Sequence, residues 1–320
     1  MATKNEATAA QRPPTQVDAA SLRRLMKALF HATGISEKAS TTMAEALVEA
    51  DLAGLPSHGV MQGEVYLARL RAGSLTTAEQ AERVVDRDAM AVLDAHNMLG
   101  HLAATQAVDL AVEKARRFGI AAVAVRNAFH FGAAGRYAAM AAKAGCVGIV
   151  MANTKATMPA PGGAQALVGT NPIAVAIPTA DEPAIVLDMA TSAGSVGKIR
   201  MAGKAGRAIP EGWAVAADGS PTTDPAEALK GLLLPAAGPK GFGLSLIVDL
   251  LCGLLSSGIW GEAIPTIHGD LTKPAPSTHL YIAIDIAHFR PLAEFLAEST
   301  RAANRVRTSR RAPEIGRAHV

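Results

Sequence analysis

The fold class is decided by residues 120–151, IAAVAVRNAFHFGAAGRYAAMAAKAGCVGIVM. Two apolar runs in this segment, 120–125 and 147–151, predict short buried strands. Between them, residues 133–144 predict a helix that ends at Gly145, because glycine readily adopts the left-handed conformation of a helix C-terminus. A strand, a helix and a second strand in succession are typical of an α/β sheet.

Further elements are predicted on both sides of this segment. Upstream, apolar residues at three- and four-residue spacing between Leu22 and Phe30 form the stripe of an amphipathic helix. Two more helices are predicted over 37–52 and 102–118, and the second ends at Gly119. Downstream, the pattern predicts strands over 173–177, 184–187 and 279–285 and a long, mostly buried helix over 241–257.

The composition indicates a soluble enzyme. The chain has 320 residues, of which 49% are hydrophobic and only 4% aromatic, and its net charge is +3. These values argue against a disordered chain and against a nucleic-acid-binding surface. The basic residues within 301–311 are interpreted as a solvated tail. Cys146 and Cys252 lie in apolar runs, so we expect two buried thiols in a reducing compartment.

The sequence also predicts a cytoplasmic location and a division into domains. The first 16 residues lack the apolar core of a signal peptide, and the apolar stretch 244–255 is interrupted by polar residues and too short to cross a bilayer. We expect a disordered tail over 1–16, a discontinuous helical domain over 17–118 and 275–306, an α/β domain over 119–274, and an atypical tail over 307–320.

Two histidine motifs are candidates for proton transfer. Ser57-His58-Gly59 follows a predicted helix, and His130 lies between a predicted strand and the next helix. Histidine titrates near neutral pH and is the natural proton donor there, although either residue could simply stabilise a loop. Asp188 follows a predicted strand, where it could orient a histidine or cap the next segment.

Lys240-Gly241-Phe242-Gly243 precedes a predicted helix, whose free N–H groups together with the lysine could bind phosphate. A glycine-rich turn is the structural alternative. The common fingerprints are absent from the sequence: there is no GxGxxG, no Walker A motif, no HExxH and no Cys/His pair with zinc spacing. A dinucleotide would therefore bind without either common fingerprint, and no metal site is expected.

In order and spacing, these motifs resemble the malate/L-lactate dehydrogenase family, which is unrelated to the Rossmann-type lactate dehydrogenases. The family includes malate, lactate, ureidoglycolate and sulfolactate dehydrogenases and Δ1-piperideine-2-carboxylate reductase. The resemblance covers about residues 18–295 and depends on SHG at 57–59, HFGAAG at 130–135, PGG at 161–163, GTNPI at 169–173, LDMATS at 187–192, GK at 197–198, PEGW at 210–213 and PKGFGL at 239–244.

This resemblance implies an α/β fold of the non-Rossmann malate/L-lactate dehydrogenase type, with a helical N-terminal substrate domain and an α/β cofactor-binding domain. It implies NAD or NADP as cofactor, a small carboxylate substrate, and a homodimer whose site lies near the subunit interface. Neither nucleic acid nor membrane is expected as a partner. The activity implied is hydride transfer between NAD(P)H and a 2-oxo acid/2-hydroxy acid pair.

The resemblance also implies roles for individual residues. His58 and His130 are the candidate proton donors, and Ser57 and Asp188 would form an orienting relay with His58. Substrate contacts are expected at Gln62, Lys155, Thr170 and Asn171. Cofactor contacts are expected at Asp188, Met189, Ala190, Thr191, Ser192, Lys198, Lys240, Gly241, Phe242, Gly243 and Leu244.

Gln62 departs from the pattern of the family. Many members have an arginine four residues after the histidine of the Ser-His-Gly motif, where it can clamp a carboxylate in a bidentate manner. A neutral amide cannot replace that charge, which argues against ureidoglycolate and against dicarboxylates such as malate. Arg69, Arg126 and Arg136 are the candidates for compensation.

Two alternative functions follow from the same residues. The first is reduction of the cyclic imines Δ1-piperideine-2-carboxylate and Δ1-pyrroline-2-carboxylate, and the second is a non-catalytic homologue that binds a nucleotide. The C-terminus also departs from the family, because its last seven residues, EIGRAHV, match the translation of a common sequencing-library adapter. We hypothesise that the true C-terminus is missing and assign the tail no function.

Overall fold

The computed structural model describes residues 16–181 and 183–310. The chain begins with helices α1 (Ala19–His31) and α2 (Glu37–Leu52), which are followed by short 3-10 turns at Pro56–His58 and Val60–Gln62 and by α3 (Gly63–Ala72). Side chains cap the first two helices: Asp18 accepts from Ser21 N at 2.7 Å, and Ser36 Oγ accepts from Ala39 N at 3.1 Å. The predicted helix 37–52 is confirmed.

The middle of the chain builds most of the main sheet. A hairpin of β1 (Glu82–Arg87) and β2 (Met90–Asp94) precedes α4 (Gly100–Phe118), β3 (Ile120–Ala128), α5 (Ala134–Lys143) and β4 (Cys146–Ala152). After them come β5 (Met158–Pro159), β6 (Ala166–Val168), β7 (Ile173–Ile177) and β8 (Ile185–Met189). The strand–helix–strand prediction for 120–151 is confirmed, and Gly119 ends α4 with φ +84°.

The last part of the chain forms a small separate sheet with its helices and then adds one more strand to the main sheet. It contains α6 (Val196–Lys204), β9 (Ala214–Val215), β10 (Pro221–Thr222), α7 (Pro225–Lys230), β11 (Leu232–Leu233), α8 (Pro239–Ser256), β12 (Ser277–Asp285) and α9 (Leu292–Thr308). Strands β9–β11 form a separate three-stranded sheet. The periodicity did not predict α3, α6, α7, α9, the β1–β2 hairpin or these short strands.

The main sheet has seven strands in the order β1-β2-β3-β12-β4-β7-β8. Strands β2 and β3 run parallel, and the other neighbouring pairs of this sheet are antiparallel. The late strand β12 lies between β3 and β4, so strands from both predicted domains share one sheet. The predicted division into domains stays a prediction.

Helices cover both faces of the sheet. Successive residues of β3 point to opposite sides. Val123 and Val125 join the core that contains α4 and α5, whereas Ala124 packs with Val248 and Cys252 of α8. Both cysteines are buried and unpaired, and burial raises the pKa of Cys146 to about 11, as expected for inert thiols.

Helix α8 is buried on one side only, which corrects the prediction of a mostly buried helix. Val248 and Cys252 face the sheet, but Ile247, Leu254 and Leu255 are each more than half exposed. By length and composition alone, α8 is also the one helix among the described residues that could cross a membrane, with 39% of it buried. Its contact with the sheet is typical of a core helix in a soluble protein.

The basic C-terminal residues form a helix rather than a tail. Helix α9 continues to Thr308, and Ser299 anchors it by donating to Pro178 O at 2.6 Å. The arginines of this helix remain exposed, as the sequence predicted. Most of the two predicted tails, residues 1–15 and 311–320, lies outside the described residues.

Candidate active site

The ends of five strands meet at one end of the main sheet. Strands β3, β4 and β8 finish there, and β7 and β12 begin there, because Ser277 pairs with Ala128, His279 with Ala152, and Ile173 with both Met151 and Met189. The segments next to these strand ends carry His130, Lys155, Thr170 and Asn171, and Asp188 is the last but one residue of β8. The topology therefore brings together predicted site residues that are far apart in sequence.

The 3-10 turns after α2 add Ser57 and His58 to this end of the sheet. Ser57 Oγ lies 3.0 Å from His58 Nδ1, and the rings of His58 and His130 stack with their centroids 5.8 Å apart. The turn packs tightly at Gly59, where a Cβ atom would lie 2.1 Å from Asp51 Oδ1. Glycine there leaves room for the Asp51 carboxylate, which accepts a hydrogen bond from Val60 N at 3.0 Å in the same turn.

A buried tyrosine is hydrogen-bonded to His130. The hydroxyl of Tyr66 lies 2.5 Å from His130 Nδ1, and Tyr66 is fully buried. Gly100 allows α4 to approach the same segment, since a Cβ atom there would lie 1.9 Å from Phe129 O. Tyr66 was not predicted as a site residue, because its sequence neighbours give no sign that it meets a residue after β3.

Asp188 lies at the end of the edge strand β8 and is exposed in the single chain. Its Oδ2 accepts a hydrogen bond from Gly135 N, in the first turn of α5, at 2.8 Å. A Cβ atom on Gly135 would lie 2.9 Å from the same oxygen, so glycine keeps this contact open. Asp188 acts on His58 through its charge, and the direct bond within the predicted relay is the one from Ser57.

The two histidines differ in their electrostatic surroundings. Burial lowers the pKa of His58, and the charge of Asp188 opposes that effect. Burial lowers the pKa of His130 much further, and the neighbouring histidines His58, His101, His279 and His268 lower it again. Desolvation raises the pKa of Asp188 against the opposing effects of Gly135 N–H and His58. A proton shared between the rings therefore favours His58.

Gln62 lies beside Ser57. Its Nε2 donates to Ser57 O at 2.8 Å, and its Oε1 is buried with no hydrogen-bond partner among the residues the structure describes. The three arginines considered as replacements for the missing charge are bonded elsewhere. Arg69 donates to Ile267 O and Lys273 O, Arg126 pairs with Asp94, and Arg136 pairs with Glu49.

The other predicted substrate residues occupy different depths. Asn171 is fully buried: its Oδ1 accepts from Thr154 N at 2.8 Å and its Nδ2 donates to Ser245 O at 3.0 Å. Thr170 N donates to Thr154 Oγ1 at 2.9 Å, and Lys155 is exposed. Asn171 thus supports the turn that presents Thr170, and both Thr170 and Lys155 are accessible to a ligand.

The predicted cofactor segments pack directly against each other. A Cβ atom on Gly241 would lie 2.3 Å from Ala236 O and 2.7 Å from Thr191 O, so glycine permits this approach. Thr191 Oγ1 is buried without a partner among the described residues, and Lys240 and Lys198 are exposed. Within residues 16–181 and 183–310, no cluster of three or more histidine, cysteine or acidic side chains could hold a metal ion.

Comparison with known proteins gives consistent matches over most of the chain. The malate/L-lactate dehydrogenase family matches residues 17–320. Malate dehydrogenase from Pyrococcus abyssi is 38% identical over 292 residues, which are 89% of this chain and 80% of the relative.

Two solved structures are similar to this fold. Sulfolactate dehydrogenase from Methanocaldococcus jannaschii has a TM-score of 0.88 and 33% identity, over 94% of this chain and 86% of that chain. Δ1-piperideine-2-carboxylate reductase from Pseudomonas syringae pathovar tomato has a TM-score of 0.84 and 30% identity, over 94% of this chain and 91% of that chain.

Proposed function

The chain belongs to the malate/L-lactate dehydrogenase family, and on that premise we propose that it uses NAD or NADP to interconvert a small 2-oxo acid and the corresponding 2-hydroxy acid. The observation that carries this proposal is the pair of facing histidines, His58 and His130, whose rings are 5.8 Å apart at the end of the sheet where five strands meet. Two imidazoles so placed can donate to one carbonyl oxygen.

The cofactor is assigned to the surface formed by residues 188–192, Lys198 and residues 240–244. The unpartnered hydroxyl of Thr191 and the exposed ammonium groups of Lys198 and Lys240 fit a ligand that carries phosphates. When bound, the nicotinamide ring supplies or accepts the hydride.

His58 is the proposed proton donor in the direction of reduction. Reduction of a carbonyl carbon leaves negative charge on its oxygen, which a nearby imidazolium neutralises by giving up its proton. Asp188 favours the protonated form of His58 against the effect of burial, and Ser57 Oγ, 3.0 Å from Nδ1, orients the ring. In the oxidative direction, neutral His58 accepts the proton of the substrate hydroxyl.

His130 is proposed to polarise the same carbonyl while it remains neutral. Burial raises the pKa of Tyr66, so its phenol keeps its proton and can donate to His130 Nδ1. That hydrogen bond leaves the His130 ring proton on Nε2, where it can donate to a substrate oxygen. Thr170 and Lys155 are proposed to contact the substrate from the side of β4 and β7.

The protein is proposed to be a cytoplasmic homodimer with its site near the subunit interface. Three residues on one side of α8, Ile247, Leu254 and Leu255, form an apolar stripe that is more than half exposed in the single chain. The edge strand β8 also exposes Val186 and Leu187, directly before Asp188. Contact between two copies over these surfaces would bury apolar area close to the site.

A second candidate is reduction of cyclic imines such as Δ1-piperideine-2-carboxylate. The similarity to the Pseudomonas syringae reductase favours it. Gln62 is compatible with it as well, because a substrate with one carboxylate does not require a cation at this position. The same two histidines would serve, with a ring nitrogen in place of the carbonyl oxygen.

A substrate panel with NADH and NADPH, followed by nicotinamide absorbance, tests the proposal. We expect turnover of 2-oxo acids, and a loss of about 10²- to 10⁴-fold in kcat for His58→Ala. His288→Ala is the matched control, because this histidine is exposed and bonded to Asp285 away from the site.

The outcomes distinguish the candidates. Turnover of cyclic imines alone would select the imine reductase, and cofactor binding without any turnover would select the non-catalytic homologue. Unchanged turnover in His58→Ala would remove His58 from the mechanism.

A further inference from the structure

The side-chain amide of Gln62 is hydrogen-bonded through its nitrogen but not through its oxygen. Nε2 donates to Ser57 O at 2.8 Å, whereas Oε1 has no hydrogen-bond partner among the described residues. The residue is only 9% exposed, so bulk solvent does not satisfy this oxygen. A buried acceptor without a donor costs free energy, which indicates that a ligand group donates to it when the site is filled.

The orientation of this amide follows from its neighbour. Ser57 O is a carbonyl oxygen and can only accept a hydrogen bond, so the NH₂ group of Gln62 must face it. The opposite orientation would place two acceptors against each other. The group that Gln62 presents to its other side is therefore an acceptor.

Gln62 is linked through its neighbours to the two histidines. Ser57, which holds the Gln62 amide, is bonded through Oγ to His58 Nδ1. Tyr66 follows Gln62 by four residues, a separation that puts both on one face of a helix, and Tyr66 bonds to His130 Nδ1. These links place Gln62 next to the two residues that are proposed to contact the reacting oxygen.

An acceptor at this position discriminates between 2-oxo acids. The carbonyl oxygen and the carboxylate of the substrate can only accept hydrogen bonds, so neither can pair with Oε1. A second carboxylate would be repelled by this oxygen, and no hydrogen bond among the described residues joins Gln62 to Arg69, Arg126 or Arg136, which bond to other groups. A hydroxyl on the next carbon of the substrate, or an amide N–H one carbon further along, would satisfy Oε1.

We propose that Gln62 Oε1 is a specificity-determining acceptor, and that the preferred substrates are small 2-oxo acids with a neutral hydroxyl or amide donor on the first or second carbon beyond the reacting carbon. This inference rests on the proposed function and narrows its substrate class. Gln62, which stands where many members of the family have an arginine, would then recognise a neutral hydrogen-bond donor of the substrate.

Two matched pairs of substrates test the inference in the wild-type protein. 3-Hydroxypyruvate and 3-fluoropyruvate are similar in size, but only the first carries a donor. Oxaloacetate and its 4-amide compare a second carboxylate with an N–H donor. In each pair we expect kcat/KM to be about tenfold or more higher for the compound with the donor.

Variants separate recognition from the intrinsic reactivity of the compounds. Gln62→Met removes the acceptor, so the hydroxyl-to-fluorine ratio should fall by about tenfold relative to wild type. Gln62→Arg keeps a donor for Ser57 O but presents only donors, so it should favour oxaloacetate over the 4-amide. Gln106→Met is the control: both amide atoms of Gln106 bond within the fold, to Ala81 N and Glu79 O, and its loss should leave both ratios unchanged.

Each result has a defined meaning. Turnover with equal ratios in wild type and Gln62→Met would overturn the inference and leave the proposed function intact. Absence of turnover for every 2-oxo acid would overturn both. If Gln62→Met fails to fold, which thermal unfolding of each variant would reveal, the ratios of Gln62→Arg relative to wild type decide the case.

Discussion

His58 and His130 illustrate how two identical side chains acquire different roles. The rings stack 5.8 Å apart, yet Asp188 acts on His58 whereas His130 is surrounded by other histidines and by the hydroxyl of Tyr66. A carboxylate stabilises an imidazolium, and a desolvated site without one disfavours it. The proposed mechanism therefore places the proton on His58 and uses His130 as a neutral donor.

The pH dependence of reduction should reflect this division. Reduction requires protonated His58, and burial lowers the pKa of His58 below 6.5, so kcat/KM should fall as the pH rises through that pKa. Asp188→Asn removes the charge that opposes this effect. The pKa of His58 should then drop further, and the falling limb should move to lower pH. In the oxidative direction, the rising limb should move to lower pH as well.

Tyr66→Phe is the contrasting variant in the same experiment. It removes the hydrogen bond to His130 Nδ1 and leaves Asp188 in place. We expect a lower kcat with the falling limb at its wild-type pH. If the falling limb stayed in place in Asp188→Asn, or moved only in Tyr66→Phe, His130 rather than His58 would be the group whose pKa sets that limb.

At the scale of elements, one buried amide joins three segments of the site. Asn171, just before β7, bonds to Thr154 N after β4 and to Ser245 O in α8. Ser245 Oγ forms a second bond between α8 and the same turn by donating to Gly169 O at 2.8 Å. These bonds fix the turn that carries Thr170 against the helix whose first turn carries Lys240. The side chain that was expected to touch the substrate therefore positions its neighbours.

Asn171→Ala should destabilise the fold as well as the site. It leaves Thr154 N unpaired and removes the second hydrogen bond to Ser245 O, which lies within α8, so we expect a loss of about 1 to 3 kcal/mol in the free energy of unfolding. Urea denaturation at a fixed protein concentration measures this change. Asn304→Ala, on the exposed side of α9, should cost less than about 0.5 kcal/mol. Equal effects of the two variants would contradict this account of Asn171.

For the whole molecule, the exposed apolar stripe of α8 is the surface that we propose for contact with a second copy of the chain. Ile247 and Leu254 lie seven residues apart, a spacing that puts both on one side of the helix, away from Val248 and Cys252, and Leu255 is exposed next to Leu254 at the end of α8. A single chain would leave these side chains in water, whereas a dimer interface would bury them at roughly 1.5 to 3 kcal/mol for each fully buried side chain.

Leu254→Asp should therefore weaken the proposed dimer. A carboxylate placed in an apolar interface is desolvated without a partner, so we expect the dissociation constant to rise by at least about 100-fold. Sedimentation over a range of concentrations measures this constant. Leu229→Asp is the matched control, since Leu229 is 45% exposed on α7 and lies outside the stripe. A wild-type protein that sediments as a monomer would contradict the homodimer.

The sequence by itself determined the elements with strong local signals and the set of motifs. The helix at 37–52 and the strand at 173–177 occur with the predicted bounds, because periodic burial and a capping serine or flanking turns act within a few residues. The motifs also predicted the α/β fold of the family, because each motif is a short run of residues that can be recognised without knowing its tertiary contacts. The helix α3 and the strands β9–β11 carried no comparable local signal.

Only the tertiary structure decided which side chains act together. The insertion of β12 between β3 and β4, the contact of Tyr66 with His130 and the unpaired oxygen of Gln62 all depend on residues far apart in the chain. The burial of Asn171 and the exposure of one side of α8 are likewise set by what packs against them. Local sequence fixes backbone preference and periodicity, whereas partners, desolvation and pKa values depend on neighbours that only the folded chain supplies.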